Sequence, residues 1–349
     1  MAGDAPTSRN GSLIRAKAPL RVSFAGGGTD VPPFPADEGG AVLSATINRY
    51  AYASLRPRAD RQITMQSLDF GVSVDFGIDE PLLFDGRLDL IKAPVARFLD
   101  RDGHGFDLFL HSSAPPGSGL GSSSAMVVTV VGLLQEHYRL ALTDYEIAQL
   151  AYSLEREDLG IRGGLQDHYA ATFGGFNFIE FEADHVVVNP LRVDVATINE
   201  LEHNMLLCYT GRTRLADHII DDQVDRYRRE DAEATEGLRM QKQLAREMKD
   251  ALLRKRLTEF GELLGEAWVQ KRRMSPKIAT PFIDEAYDVA LRNGALGGKV
   301  TGAGGGGYML FYCRFDNRHL VADALIKLGL SVTEFTFDTT GLTTWRVSG

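Results

Sequence analysis

A chain of 349 residues exceeds the size at which one hydrophobic core usually stops growing, so two domains are expected, and 44% hydrophobic with 24% charged residues is an ordinary globular composition. The 38 Lys+Arg against 47 Asp+Glu leave a net charge of -9, which argues against nucleic acid or an anionic membrane as the main partner but not against a local basic pocket. Two cysteines, Cys208 and Cys313, supply neither a disulfide framework nor zinc-ligand spacing, and no apolar run is long enough to span a bilayer.

Residues 1–13 read as a disordered leader, small and polar without the apolar core of a signal peptide, so a cytoplasmic location with reduced thiols is expected. Strand candidates follow at Leu20–Ala25, Ala51–Pro57, Gln62–Ser67 and Phe106–Ser113, each bounded by Gly, Pro or Asp. Ala125–Tyr138 predicts an apolar helix whose β-branched content suits burial against a sheet. Thr143 with Glu146 three residues later is a capping box ahead of an amphipathic helix over Thr143–Asp158. Gly174–Glu182 and Asn204–Gly211 read as strands, and Arg214–Arg273 as charged helices with a solvated face. A helix over Thr280–Gly294, a strand over Tyr308–Cys313, a helix near Leu320–Gly329 and a terminal strand near Ser331–Asp338 complete the chain. The boundary is expected near 195, giving an N-terminal α+β domain over 14–195 and a C-terminal α/β sandwich over 196–349.

Three glycine-rich segments interrupt this pattern. In "PPGSGLGSSSA", Pro115–Ala125, the glycines Gly117, Gly119 and Gly121 permit close backbone approach. Ser122, Ser123 and Ser124 offer hydroxyls and helix caps, and the following helix contributes free N–H groups and the positive end of its dipole. This is a phosphate-binding arrangement without the lysine of the usual nucleotide loop. "KVTGAGGGGYMLF", Lys299–Phe311, holds five glycines between Gly302 and Gly307, and "APLRVSFAGGGTD", Ala18–Asp30, joins a strand to three glycines and Thr-Asp. Together they suggest backbone segments converging on one polyanionic ligand.

In order and spacing the three segments resemble the signature motifs of the GHMP small-molecule kinases, which include galactokinase, homoserine kinase and mevalonate kinase, over about residues 14–345. The branch of bacterial heptose 7-phosphate kinases, whose first motif reads A-G-G-G-[TS]-D, fits best; "GGLQDHYAATFGG" (Gly163–Gly175) and "YTGRTRLA" (Tyr209–Ala216) also look like that branch. The resemblance implies a two-domain GHMP-kinase fold with a ferredoxin-like C-terminal domain, ATP and Mg²⁺ as cofactors, and a small-molecule sugar phosphate as the other partner. ATP phosphates would lie along Pro116, Gly117, Ser118, Gly119, Leu120, Gly121, Ser122, Ser123 and Ser124. The cation is then Mg²⁺, with Ser123 and Glu155 as ligands and Glu157 as the fallback.

Asp167 matches the family's catalytic aspartate, accepting or orienting the sugar hydroxyl proton, and Arg21 matches the basic residue of the first motif. A cation positioned at the transferring phosphoryl group is worth ~10³-fold or more in rate. Thr29 and Asp30 match the sugar-binding end of the galactokinase motif; Gly27 and Gly28 replace its Glu-His and are expected to open space for a larger or phosphorylated substrate. Gly304 and Gly305 of the third loop are further substrate-site candidates. Donors for a substrate phosphate are Arg212, Arg214, Arg162, Lys271 or Arg272, a choice the sequence leaves open, as it does between substrate contact and structure for His168. The reading is an ATP- and Mg²⁺-dependent kinase acting on O1 of D-glycero-α-D-manno-heptose 7-phosphate. The alternatives are another sugar 1-kinase of the fucokinase or galactokinase kind, a decarboxylase on the same fold, and a non-catalytic ATP and sugar sensor.

Overall fold

Along strand β1 (Leu13–Ala25), Ala18, Leu20, Val22 and Phe24 join the core, while Arg21 and Ser23 line the other side of the strand, also buried. The computed structural model describes residues 12–212 and 217–347, so most of the expected leader lies outside the described residues. After the short helix α1 (Phe34–Glu38), strand β2 (Gly40–Pro57) returns antiparallel to β1, Ile14 facing Leu55 and Ala25 facing Leu43. Strands β3 (Gln62–Ser67) and β4 (Val72–Gly77) form a hairpin, and helix α2 (Asp89–Phe98) crosses to β5 (Phe106–Ser112), which lies parallel to β3.

Helix α3 (Ser122–Tyr138) follows the glycine loop and lies against β1 and β2, with Val127, Val128, Val130, Val131, Leu133 and Leu134 all buried. Burial on that scale outweighs the modest cost of β-branched residues in a helix. Helix α4 (Asp144–Tyr152) has the expected capping box at Thr143 and Glu146, then runs into a π-helical turn over Ser153–Asp158 where the sequence suggests continuous α-helix. Helix α5 (Gln166–Phe173) leads to β6 (Phe176–Phe181) and β7 (Val186–Pro190). The length of β2 lets it pair with two strands on one side, β5 through Ala51–Pro57 and β6 through Gly40–Ala45.

The second half opens with α6 (Val195–Asn204) and β8 (Met205–Tyr209), then stacks α7 (Asp217–Arg228), α8 (Ala232–Leu253), α9 (Leu257–Met274) and α10 (Pro281–Arg292) before β9 (Ala295–Val300), β10 (Tyr308–Cys313), α11 (Arg318–Lys327) and β11 (Ser331–Thr333). The sheet order β11-β8-β10-β9, antiparallel throughout, is the ferredoxin-like arrangement.

The expected terminal strand is cut short. Only Ser331–Thr333 joins the second sheet; Phe337 bridges to Ile47 and packs on Phe24 and Phe176, and β12 (Thr343–Val347) pairs with the outer edge of β1. The chain's end thus covers an edge that would otherwise expose unpaired backbone groups. The two halves also share one core, in which Leu20 and Phe24 meet Leu207, Phe260 and Leu310. Among the described residues no helix is long and apolar enough to cross a membrane.

Candidate active site

The three glycine loops interlock at the seam between the two sheets. Arg21 N donates to Leu120 O (3.0 Å) and Tyr308 N to Ser118 O (3.0 Å). Gly119 and Gly302 meet backbone to backbone: a Cβ on Gly119 would lie 2.5 Å from Thr301 O, and one on Gly302 2.6 Å from Gly119 Cα. The loops border a cleft of about 380 Å³. At its wall α3 begins at Gly121 with no side-chain cap, whereas α4, α6, α8 and α10 each have one. The N–H groups of the first turn of α3 are therefore not taken by a capping side chain, and the dipole favours an anion there.

Asp167 lies in the first turn of α5, where the same dipole favours the carboxylate. Arg21 donates from Nε (2.7 Å) and lies 2.6 Å away through Nη2, both to Asp167 Oδ1, and from Nη1 to Gly119 O (2.6 Å). Oδ2 of Asp167 has no hydrogen-bond partner among the described residues, and the side chain, 18% exposed, lines the cleft. Asp30, buried, accepts from Gly28 N (3.0 Å), Gln166 N (3.1 Å) and Gln166 Nε2 (3.0 Å). Burial, then the Asp167 charge, pushes its pKa above the usual carboxylate range against those hydrogen bonds.

A third carboxylate occupies the π turn. Glu155 is buried, and its Oε2 accepts from Ser124 Oγ (2.7 Å) and pairs with His168 Nε2 (2.7 Å). Burial alone would raise its pKa, but His168, the Arg156 charge and Ser124 hold it below the usual range. Oε1 makes no hydrogen bond and has only Arg156 Nη1 at 3.4 Å. Glu155 and Ser123 both line the cleft, so an unsatisfied carboxylate oxygen and a hydroxyl stand at one wall, donors that suit a hard, oxygen-preferring cation.

Residues 89–175 match the family described as GHMP kinases N terminal domain, and residues 248–329 match GHMP kinases C terminal. Over 338 residues the chain is 39% identical to D-glycero-alpha-D-manno-heptose 7-phosphate kinase of Campylobacter jejuni, covering 96% of this chain and 99% of that one. The chain belongs to the GHMP kinase family. Among solved structures it is similar to a D-glycero-D-manno-heptose 1-phosphate kinase from Bacteroides thetaiotaomicron, with TM-score 0.81 and 36% identity over 96% of this chain and all of that one. A sugar kinase structure from Campylobacter jejuni gives TM-score 0.79 and 38% identity over 98% of this chain and all of that one. The protein is an ATP-dependent sugar kinase, a phosphotransferase with an alcohol group as acceptor.

The kinase cleft brings together Arg21, Gly27, Gly28, Asp30, Pro116, Gly117, Gly119, Gly121, Ser122, Ser123, Ser124, Glu155 and Asp167. Other expected contacts lie elsewhere. Thr29 is fully buried, donating to Gly26 O and Ala41 O and accepting from Ala41 N, so its hydroxyl serves the β1–β2 junction and not a substrate. Ser118 and Leu120 face the interior, and Ser122, Ser123 and Ser124 do not cap α3. Gly304 and Gly305 pack on Ile278; Gly302 and Ala303 reach the cleft instead. Gly28 does not open space: φ is +106°, and a Cβ would meet Met274 Cε at 2.3 Å, so the glycine fits a crowded left-handed position. Glu157 is exposed and bonded to Ser153. His168 holds Glu155, which settles its structural part.

Of the candidate phosphate donors, Arg162 and Lys271 line the cleft. Arg212 is exposed over the Phe282 ring, and Arg272 pairs with Asp284 away from it. Arg214 lies outside the described residues. Sequence reasoning missed Lys299, Gln166, Ser23 and Gln223 at the cleft. A signal existed for Lys299, which opens the third glycine segment; none existed for Gln223, inside a charged helical run.

Proposed function

We propose that this kinase transfers the γ-phosphoryl group of ATP to O1 of D-glycero-α-D-manno-heptose 7-phosphate, giving the 1,7-bisphosphate. The observation that carries the reading is the likeness, at 39% identity over nearly the whole chain, to a kinase named for that substrate. The cleft agrees with it. ATP phosphates fit along Pro116–Ser124 and the uncapped start of α3. Asp167, with Oδ1 held by Arg21 and Oδ2 free, accepts the proton of the attacking hydroxyl, while Arg21 stabilises the charge spread over the phosphoryl oxygens. Asp30, positioned by Gln166, binds sugar hydroxyls. Ser123 and Glu155 would hold Mg²⁺, which when bound neutralises charge on the β- and γ-phosphate oxygens. Buried, unlinked Cys208 and Cys313 are in keeping with a cytoplasmic setting.

Arg162, exposed at the cleft and paired with Asp221, is our choice for the 7-phosphate. ADP release across sugars and sugar phosphates tests this. Heptose 7-phosphate should exceed any unphosphorylated sugar by at least ~10² in kcat/KM, since energy from a remote phosphate also orients the reacting hydroxyl. Arg162→Ala should shrink that gap by about tenfold, and Arg212→Ala should leave it within about twofold. Equal or better turnover of free fucose, mannose or galactose would promote the free-sugar reading.

A further inference from the structure

Two amines in the cleft wall have no carboxylate partner among the described residues. Lys271, in the last turn of α9, donates from Nζ to Gly302 O (2.6 Å); Lys299, on β9, donates to Phe24 O (3.0 Å). Both are buried and both line the cleft. Among the described residues neither lies within ion-pair distance of a carboxylate, whereas Arg21 has Asp167. A buried ammonium satisfied only by a carbonyl is strongly unfavourable in isolation, and such a group is retained where a ligand brings the missing negative charge.

Their position says which charge. Besides burial, the charges that act on Lys271 are those of Asp30, Arg21 and Asp167, and Lys271 in turn acts on Lys299. Its anchor, Gly302, packs on Gly119 of the loop that leads into α3. A Cβ on Gly27 would lie 3.7 Å from Lys271 Nζ, so the amine borders the space between Asp167 and the glycine loops. Arg162, by contrast, is exposed and already paired with Asp221.

Building on the kinase reading above, we propose that Lys271, supported by Lys299, is a second cation of the phosphoryl-transfer centre and contacts the oxygens of the group in flight alongside Arg21. In that step the sugar oxygen forms its bond to phosphorus, the bond from phosphorus to the bridging oxygen breaks, its electron pair leaves with ADP, and the sugar proton goes to Asp167. Lys271 exchanges no proton. Burial, more than its neighbours, lowers its pKa to about 8, so in the free enzyme the cation is present below that pH and lost above it.

The test compares Lys271→Met and Lys271→Arg with the wild type, using ATP and Mg²⁺ with two acceptors, heptose 7-phosphate and free D-mannose. Loss of one positioned charge donor is expected to lower kcat by ~10² on both acceptors in Lys271→Met. Lys271→Arg should recover at least about tenfold and move the alkaline limb of kcat/KM from near 8 to above about 9, because guanidinium stays charged. Removing an uncompensated buried charge should leave Lys271→Met melting at or above the wild type. A loss confined to heptose 7-phosphate would assign Lys271 to the acceptor's own phosphate and overturn the proposal. So would an unchanged kcat, or equal losses in both variants with lowered melting. If the wild type turns over mannose and not heptose 7-phosphate, the substrate assignment fails, while the Lys271 comparison stands on mannose.

Discussion

The carboxylate corner around Glu155 and the amine corner around Lys271 are buried alike on one cleft, but their charges are treated oppositely. Glu155 is surrounded by His168, Ser124 and Arg156, and this network keeps it ionised against its burial. Lys271 and Lys299 have only backbone carbonyls as hydrogen-bond partners, and burial depresses both, although the Asp30 and Asp167 charges act the other way on Lys271. In the first corner the Glu155 charge has its partners before any ligand arrives, although Glu155 Oε1, Arg156 Nε and His168 Nδ1 are buried without a hydrogen bond. The second becomes balanced only when an anion enters. A kinase needs both: a fixed acidic support for a cation, and an electropositive place that is used most fully as phosphoryl charge develops.

The sharpest way to break this comparison is to act between the corners. Asp167→Asn removes the carboxylate that balances Arg21 and adds one more uncompensated cation to the cleft. We expect the fold and ATP binding to persist while kcat falls by ~10² or more, as when a positioned base is lost. A near-normal kcat would take Asp167 out of the mechanism.

A smaller effect is expected in the acidic corner. Ser123→Ala and Glu155→Gln should each raise the Mg²⁺ concentration for half-maximal rate several-fold, because a geometry-demanding ion loses one of few protein ligands. Glu155→Gln carries a second signature. With its folded pKa held below the unfolded value, ionised Glu155 contributes stability that is complete above the ordinary carboxylate range and lost as pH falls through the lowered one. The variant should therefore show a flatter acid limb in a melting-temperature profile. Unchanged Mg²⁺ titrations in both variants would mean the metal is held elsewhere.

Local pattern carried most of the architecture: Gln62–Ser67 and Tyr308–Cys313 are strands with the bounds their alternation and punctuation suggest, and the capping box at Thr143 starts α4. What failed depended on distant partners. The run Ser331–Asp338 has strand composition throughout, yet only three residues find a partner in the second sheet, because the open edge of β1 draws the chain's end to the first. In the site, Asp167, Arg21 and Asp30 were legible because each matches a position of the family's motifs. Thr29 matches one too, and only the closure of β1 on β2 shows its hydroxyl to be consumed. Lys271, in the basic run "QKRRM", is one of five candidate phosphate donors in the sequence, and only the helix, which turns it inward, separates it from Arg272. The glycines of the second and third loops are partly explained by each other, a contact separated by some 180 residues that composition does not reveal.

The central claim, phosphoryl transfer to the anomeric oxygen of a sugar that already bears a phosphate, is tested most directly by ³¹P NMR of the wild-type reaction with ATP, Mg²⁺ and heptose 7-phosphate. The account predicts one new sugar-phosphate resonance coupled to the anomeric proton, growing one-for-one with ADP while the 7-phosphate signal remains. ADP formation without that resonance, or the same resonance appearing only with unphosphorylated sugars, would contradict it.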